Sequence, residues 1–519
     1  MSATWQNVGG WLDRRANDAP ERLAVVDAGR RLSYATLAGR AAAFAAWLCE
    51  AGIGPGDRVA VLLANRSAYL EAVFACARIA AIAVPINARL APPELAQILD
   101  DCTPRVLLCE ADLAATAAAA LRDMRETTPR VLEAGGHPDA YEAALAGASS
   151  PPEPAAVRGE DPMMIMYTSG TTGRPKGAVL PHRKTLFNSL NAALFFELTA
   201  RDRVLVPLPL FHSFGLAILS VPALYAGATL WLEHGFDPKA IWERVAQERI
   251  SYLGAVPTML AALLDALDAA PPGSLDTTSL RFLFAAGAPL HVDLIRAFER
   301  RGLVVKQGFG QTETSILCCL DAADAQRKAG SVGKPVFHAD VRIARTETLA
   351  GPSQAWQDCA PGEAGEIVVR GPITMIGYWR QPEATRETLR GEWLRTGDLA
   401  TRDEEGFFTL VGRARELYIS GGENVYPAQV EAVYAAHPDV HEIAVVSVPD
   451  PRWGEAGRAF VVLEEGATLD THALRQWGAE RLARYKLPRD FVAIDALPRT
   501  ITGKVQKHRL APGEGKIVA

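Results

Sequence analysis

A chain of 519 residues is longer than one hydrophobic core usually organises, so two or more domains are expected, and 49% hydrophobic with 22% charged residues marks a soluble globular protein. A formal net charge of -6 argues against a general nucleic-acid binder, which needs clustered lysine and arginine. Seven scattered cysteines without C-x-x-C spacing argue against a disulfide framework or thiolate metal site and fit a reducing cytoplasm, the expected location.

The N-terminal stretch carries Trp5, Asp13, Asp18 and Glu21 where a signal peptide needs an unbroken apolar run, so no export signal is expected. From about Val59 to Gly310 short apolar runs alternate with helical patterns: Val59 to Leu63, Arg105 to Cys109, Met163 to Tyr167, Arg203 to Val206, Ser251 to Ala255 and Arg281 to Ala285. Such alternation predicts an α/β fold with parallel sheets covered by helices, and ligands held where loops leave the carboxyl ends of strands. The most apolar stretch, Leu216 to Leu232, is broken by Ser220, Pro222, Gly227 and Thr229 and falls short of the ~20 residues of a bilayer crossing. It reads as buried protein, not a transmembrane segment. After Gly365 closely spaced runs, Glu366 to Val369 and Gly406 to Val411, predict a small β region. From Asn424 a helix to about His437, strands at Ile443 to Val448 and Ala459 to Leu463, a helix at Leu474 to Tyr485 and a strand at Phe491 to Ile494 make a compact α+β unit of about 100 residues. The expected domains are 1–411 and 417–519, joined by the short charged segment 412–416.

The strongest local signal is Tyr167-Thr168-Ser169-Gly170-Thr171-Thr172-Gly173-Arg174-Pro175-Lys176-Gly177, directly after an apolar run. Glycines let backbone N–H groups converge on an anion, hydroxyls add donors and Lys176 adds positive charge, which is phosphate-binding chemistry. The spacing is not that of a P-loop, and a polar surface loop is the bland alternative.

Further motifs follow in order: Pro209-Leu210-Phe211-His212, Gly308-Phe309-Gly310-Gln311-Thr312-Glu313, Thr396-Gly397-Asp398, Gly412 to Glu416 running on to Ser420-Gly421-Gly422-Glu423-Asn424, and Pro498 to Lys504. With the phosphate loop they make the chain, from about Leu32 to Leu510, resemble the adenylate-forming superfamily of acyl-CoA synthetases, peptide-synthetase adenylation domains and luciferases. The resemblance implies a large N-terminal domain that binds ATP and the acid, and a small mobile C-terminal domain bearing a catalytic lysine. Glu313, read as following a glycine-rich turn at Gly308 to Gln311, would hold Mg²⁺, which prefers oxygen ligands shared with phosphates. Thr312 would meet the α-phosphate and Phe309, where the family often has Tyr, would lie against adenine. Asp398, placed at a turn after Thr396-Gly397, would accept the ribose hydroxyls, Arg413 would touch ribose or phosphate, and Lys504 would bridge the carboxylate and α-phosphate in the adenylation transition state. Arg415 occupies the hinge position. Alone, each of these has a structural reading: a capping aspartate in a turn, an exposed loop glutamate, a solvated tail lysine beside Arg499, Lys507 and Arg509.

His212 is placed with the catalytic residues; amino-acid-activating members usually carry Asp there to pair with an ammonium, so a simple carboxylic acid is favoured. The Gly421-Gly422 turn would let the pantetheine arm of coenzyme A pass close to backbone, and Trp453 and Lys486 resemble places that contact the CoA nucleotide. The segment after His212, the Gly287-Ala288-Pro289 turn beside the nucleotide, and residues around Gly308, including Ser315 and Ile316, would line the acid pocket. Small and apolar side chains there, with no Lys or Arg among them, imply an apolar monocarboxylic acid, with fatty acids slightly preferred to aromatic ones. The expected partners are thus a carboxylic acid, ATP, Mg²⁺ and CoA, with no nucleic acid, as a monomer or homodimer. A stand-alone amino-acid or carrier-protein adenylation enzyme and a non-catalytic nucleotide binder are the rival readings.

Overall fold

The computed structural model describes residues 6–168, 175–271, 273–288, 290–414, 416–420, 423–451, 453–499, 503–510 and 516–517. The chain divides into two compact units, one of Met1–Val341 with Val369–Leu394 and the other of Arg342–Val368 with Arg395–Ala519.

The first unit is built on two sheets. In a nine-stranded sheet, Val305–Gln311, Phe282–Ala285, Tyr252–Ala255, Arg203–Val206, Thr229–Leu232 and Leu23–Asp27 lie side by side and parallel. Antiparallel strands close both ends of that array. In a seven-stranded sheet, Pro162–Thr168, Ile82–Pro85, Arg58–Leu62, Val106–Glu110 and Arg130–Ala134 are parallel neighbours. The central strands are fully buried, as parallel strands covered on both faces must be, which is why they read as unbroken apolar runs. Leu205, Trp231, Trp242, Leu253 and Phe298 form the core against the first sheet, and Ala60, Leu95, Leu107 and Ile165 that of the second.

Leu216 to Leu232 is buried, as the breaks in its apolar pattern imply: a π-helix at Phe214–Ser220 runs into a helix at Val221–Ala226, which ends at Gly227 with φ 83° before the strand Thr229–Leu232. Among the described residues no helix is long and apolar enough to cross a membrane. The helix His182–Phe196 is unusual in burying a polar face, with His182, Lys184, Thr185, Asn188, Ser189 and Asn191 all out of solvent.

The second unit carries a six-stranded sheet whose centre is the long hairpin Val440–Asp450 with Gly454–Leu463, and Asp490–Ala493 pairs parallel to its second strand. The expected helix from Asn424 is shorter, Pro427–Tyr434, because Pro427 suits a first turn and Glu423–Val425 is extended before it. The next helix is Thr471–Ala479, started early by Asp470, whose carboxylate accepts from His472 and Ala473 N–H at 2.9 Å; Arg484–Lys486 is a separate 3-10 turn.

Candidate active site

The phosphate motif spans a hairpin. Pro162–Thr168 and Lys176–Pro181 pair antiparallel with Thr168 opposite Lys176, while Ser169, Gly170, Thr171, Thr172 and Gly173 lie outside the described residues. The Lys176 ammonium sits over the ring of Tyr378, 5.2 Å from its centroid. The Tyr378 hydroxyl in turn donates to Glu313 Oε1 at 2.8 Å. Burial and the adjacent Glu313 carboxylate push the Tyr378 phenol up, so the proton stays on the donor. The lysine of one motif and the carboxylate of another thus share one aromatic neighbour.

Gly308, Phe309, Gly310 and Gln311 end the strand Val305–Gln311; they are not the glycine-rich turn read from sequence. The turn lies at 312–314, and Ser315–Cys319 returns antiparallel with Phe309 opposite Cys318. Gly310 is needed because a Cβ there would run into the Ser315 carbonyl. The turn is pinned on several sides: Gln311 N–H donates to Thr314 Oγ1 at 3.2 Å, Met375 N–H to the Glu313 carbonyl at 2.7 Å, and Thr312 Oγ1 to Ser213 Oγ at 3.3 Å. Ser315 itself has φ 63° and accepts from the ammonium of fully buried Lys184.

The Pro209–His212 motif is held by Asn65, whose amide donates to the Leu208 carbonyl at 2.8 Å and accepts from Leu210 N–H at 2.8 Å. His212 N–H bonds the Pro209 carbonyl at 3.1 Å, and the π-helix starts two residues on, a geometry frequent at functional sites. Asn188 ties the elements together, donating to the Ala217 carbonyl and accepting from Ile316 N–H. Phe214 meets Phe284 edge to face at 5.6 Å, and Phe284 fills the space a side chain on Gly308 would take, 2.6 Å from where its Cβ would stand. Gly287, with φ 91°, turns the chain after the strand Phe282–Ala285 and leaves Ala288 half-buried.

In the second unit Asp398 lies within the strand Trp393–Arg402, not in a turn; Gly397, with φ 71°, bends the strand just before it. Asp398 faces Arg413 across the ladder to Phe408–Arg413, and its Oδ1 meets Arg413 Nε at 3.1 Å. Beneath them Glu366, fully buried, binds Arg395 at 2.7 Å and accepts from Gly397 N–H at 3.1 Å. Lys504 is exposed and follows Gly503, φ 80°, on a hairpin closed by an Arg499–Val505 bridge. Trp453 is 45% exposed at the tip of the long hairpin; Lys486 donates to Gln429 Oε1 at 3.2 Å. Arg415, Gly421 and Gly422 lie outside the described residues.

Residues 12–379 match the family described as AMP-binding enzyme, and 429–504 the AMP-binding enzyme C-terminal domain. The chain belongs to the AMP-binding enzyme family. A feruloyl-CoA synthase from Amycolatopsis is 43% identical over 97% of this chain and 98% of its own. An indoleacetate–CoA ligase from Aromatoleum aromaticum is 41% identical over 96% of each chain. ATP-bound MatB from Rhodopseudomonas palustris superposes with a TM-score of 0.88 at 32% identity, covering 98% of both chains. This AMP-binding enzyme is therefore an ATP-dependent, AMP-forming acyl/aryl-CoA ligase that uses ATP, Mg²⁺ and CoA.

Among the described residues of this AMP-binding enzyme no three His, Cys, Asp or Glu side chains gather as a metal cage. Glu313, whose Oε1 accepts from the Tyr378 hydroxyl, offers a hard oxygen of the kind Mg²⁺ prefers. Sequence reasoning missed three supporting residues. Tyr378 left only the weak signal of an aromatic beside Gly377, Glu366 only a glutamate heading an apolar run, and Lys184 none at all. No cation was expected beside the acid-pocket segments, yet Lys184 packs against Ser315.

Proposed function

We propose that this ligase activates a planar aromatic monocarboxylic acid of the arylacrylic or arylacetic type. The observation that carries the reading is the wall behind the Gly308 motif. Phe214 and Phe284 meet edge to face there, and Phe214 and Leu219 fill the space beside Gly254, so two aromatic rings pack next to the segments assigned to the acid. A flat ring gains area and edge contacts against such a wall, whereas a long chain needs an open path. Two relatives with more than 40% identity are named for aromatic acids, feruloyl and indoleacetate, which supports it. A medium- or long-chain fatty acid is the second reading, favoured by the apolar lining of Leu216, Ile218 and Leu219.

In the mechanism we infer, the acid carboxylate attacks the α-phosphorus of ATP, the bond to the β-phosphate oxygen breaks and pyrophosphate leaves. Lys504 bridges the entering carboxylate and the α-phosphate, Thr312 donates to that phosphate, and Asp398, oriented by Arg413, accepts the ribose hydroxyls. Glu313 would hold Mg²⁺, which would supply positive charge beside the phosphates. Movement about 412–416 then withdraws Lys504 and presents Gly421-Gly422, and the CoA thiolate attacks the acyl carbon, expelling AMP. The domain reading 1–411, 412–416 and 417–519 belongs to this proposal. Acid-dependent pyrophosphate release over a panel of cinnamic, arylacetic and C8–C16 fatty acids, with and without CoA, tests it. At least tenfold higher kcat/KM for the aryl acids is expected; preference for the fatty acids would reject the aryl reading.

A further inference from the structure

The exposed Lys504 lies between two clamps in the second unit. On one side Arg499 donates to the Gly503 carbonyl and pairs with Glu442 at 2.5 Å. Gln506 N–H closes the hairpin onto the Pro498 carbonyl at 2.7 Å. On the other side, three residues after Lys504, the ammonium of Lys507 bridges two carboxylates, Glu416 at 3.1 Å and Glu431 at 2.7 Å, with its side chain only 17% exposed. Glu431 stands on the helix Pro427–Tyr434 and also accepts from Val445 N–H at 2.6 Å, so one end of the bridge is anchored in the sheet. Glu416 belongs to the charged segment 412–416, and its N–H bonds the Arg413 carbonyl at 3.0 Å. Arg413 is the partner of Asp398. Lys507 is therefore placed to join the hinge segment, the body of the unit and the hairpin that carries Lys504.

We propose that Lys507 is the positioning residue for Lys504: by clamping Glu416 and Glu431 it makes the 503–507 segment and the 412–416 segment move as one body. This rests on the reading above that Lys504 serves adenylation and that 412–416 is the hinge. The physical reason is that an exposed lysine on a short hairpin samples many placements, while a charge-assisted bridge to two carboxylates fixes its base. Methylenes of Lys507 do none of this, so its charge and reach carry the effect. Leu510, further on, anchors the segment by packing with Ala444, Phe460, Val492 and Leu497, and that apolar anchor gives no connection to Glu416.

The test compares Lys507→Met, Lys507→Arg, Glu416→Gln and Lys504→Ala in both half-reactions: acid-dependent pyrophosphate release, and thioester formation from supplied acyl-AMP and CoA. Lys507→Met is expected to lower kcat of pyrophosphate release about tenfold with KM for ATP and acid within about twofold, and to leave thioester formation within about twofold. Arginine, which can also bridge two carboxylates, should restore most of the rate. Glu416→Gln, which leaves the Glu431 arm intact and so preserves the fold, should give a smaller loss, about threefold, in the same half-reaction only. In combination the Met and Gln changes should cost no more than Lys507→Met alone. Equal damage to both half-reactions, failure of Arg to rescue, or full additivity would overturn the role of Lys507. Lys504→Ala separates this from the underlying reading. If it stops adenylation while Lys507→Met and Glu416→Gln do not, the positioning role alone fails; if it spares adenylation, the reading fails and the role falls with it.

Discussion

Lys184→Met removes a cation that the fold holds at a cost. The Lys184 ammonium is fully buried, bonds Ser315 Oγ and has no salt-bridge partner among the described residues; burial pulls its pKa from 10.5 down to about 7, against the opposing field of Glu313. The unfolded chain would titrate near the ordinary lysine value. Between about pH 7 and 10.5 the unfolded state therefore binds a proton that the folded state does not, and stability rises with pH across that window. Below pH 7 the full penalty is present, on the order of 5 kcal/mol from the difference between the two pKa values. Methionine keeps the length without the charge, at about 1 kcal/mol for the hydrogen bond lost to Ser315. Thermal unfolding of both proteins from pH 6.5 to 9.5 is the assay. At pH 6.5 the variant should melt higher by roughly 5 °C, and the gap should shrink as pH rises. A variant less stable at every pH, or a gap independent of pH, would refute the reasoning.

Tyr378→Phe frees Glu313 Oε1 and should raise the Mg²⁺ concentration for half-maximal pyrophosphate release roughly tenfold, read from a Mg²⁺ titration at saturating ATP; an unmoved midpoint would remove Tyr378 from the site. Lys504→Ala should slow adenylation about 10²-fold while sparing thioester formation from supplied acyl-AMP, as stopped assays of each half-reaction will show. Phe284→Ala opens the wall over Gly308 and should shift the acid panel toward longer or bulkier acids while costing about 3–5 kcal/mol in urea unfolding; an unchanged panel would mean the ring does not face the acid. Glu366→Gln leaves Arg395 without its carboxylate and should raise KM for ATP several-fold and lower the melting temperature, with no effect expected on the CoA step.

What was legible in the sequence was whatever local chemistry writes into a short window. The parallel strands announced themselves because burial on both faces demands unbroken apolar runs, and Leu216 to Leu232 gave itself away as protein interior through its broken pattern. Less legible was anything set by approach from afar. Gly308 to Gln311 looked like a turn because glycine usually means one, yet the glycines serve the close passage of Ser315 and the Phe284 ring over an extended strand. Asp398 was misplaced into a turn for a similar reason, since Gly397 bends a strand instead of ending it. Tyr378, Glu366 and Lys507 act on residues 65, 31 and 91 positions away, and no periodicity marks such partners. Lys184 was invisible because a lysine in an amphipathic stretch reads as solvated, and only the polar inner face of its helix contradicts that.

The hairpin beneath the phosphate motif has a consequence for how the site can be altered. Thr168 and Lys176 form the last rung of an antiparallel ladder, so the chain leaves and re-enters the sheet at a single place. The register of the two strands is set by the rungs from Pro162 opposite Pro181 to Thr168 opposite Lys176. The motif is in that sense a cartridge. A change in its length is therefore expected to leave the strands below in register, since closure of a somewhat longer loop adds only about 0.6 kcal/mol per doubling.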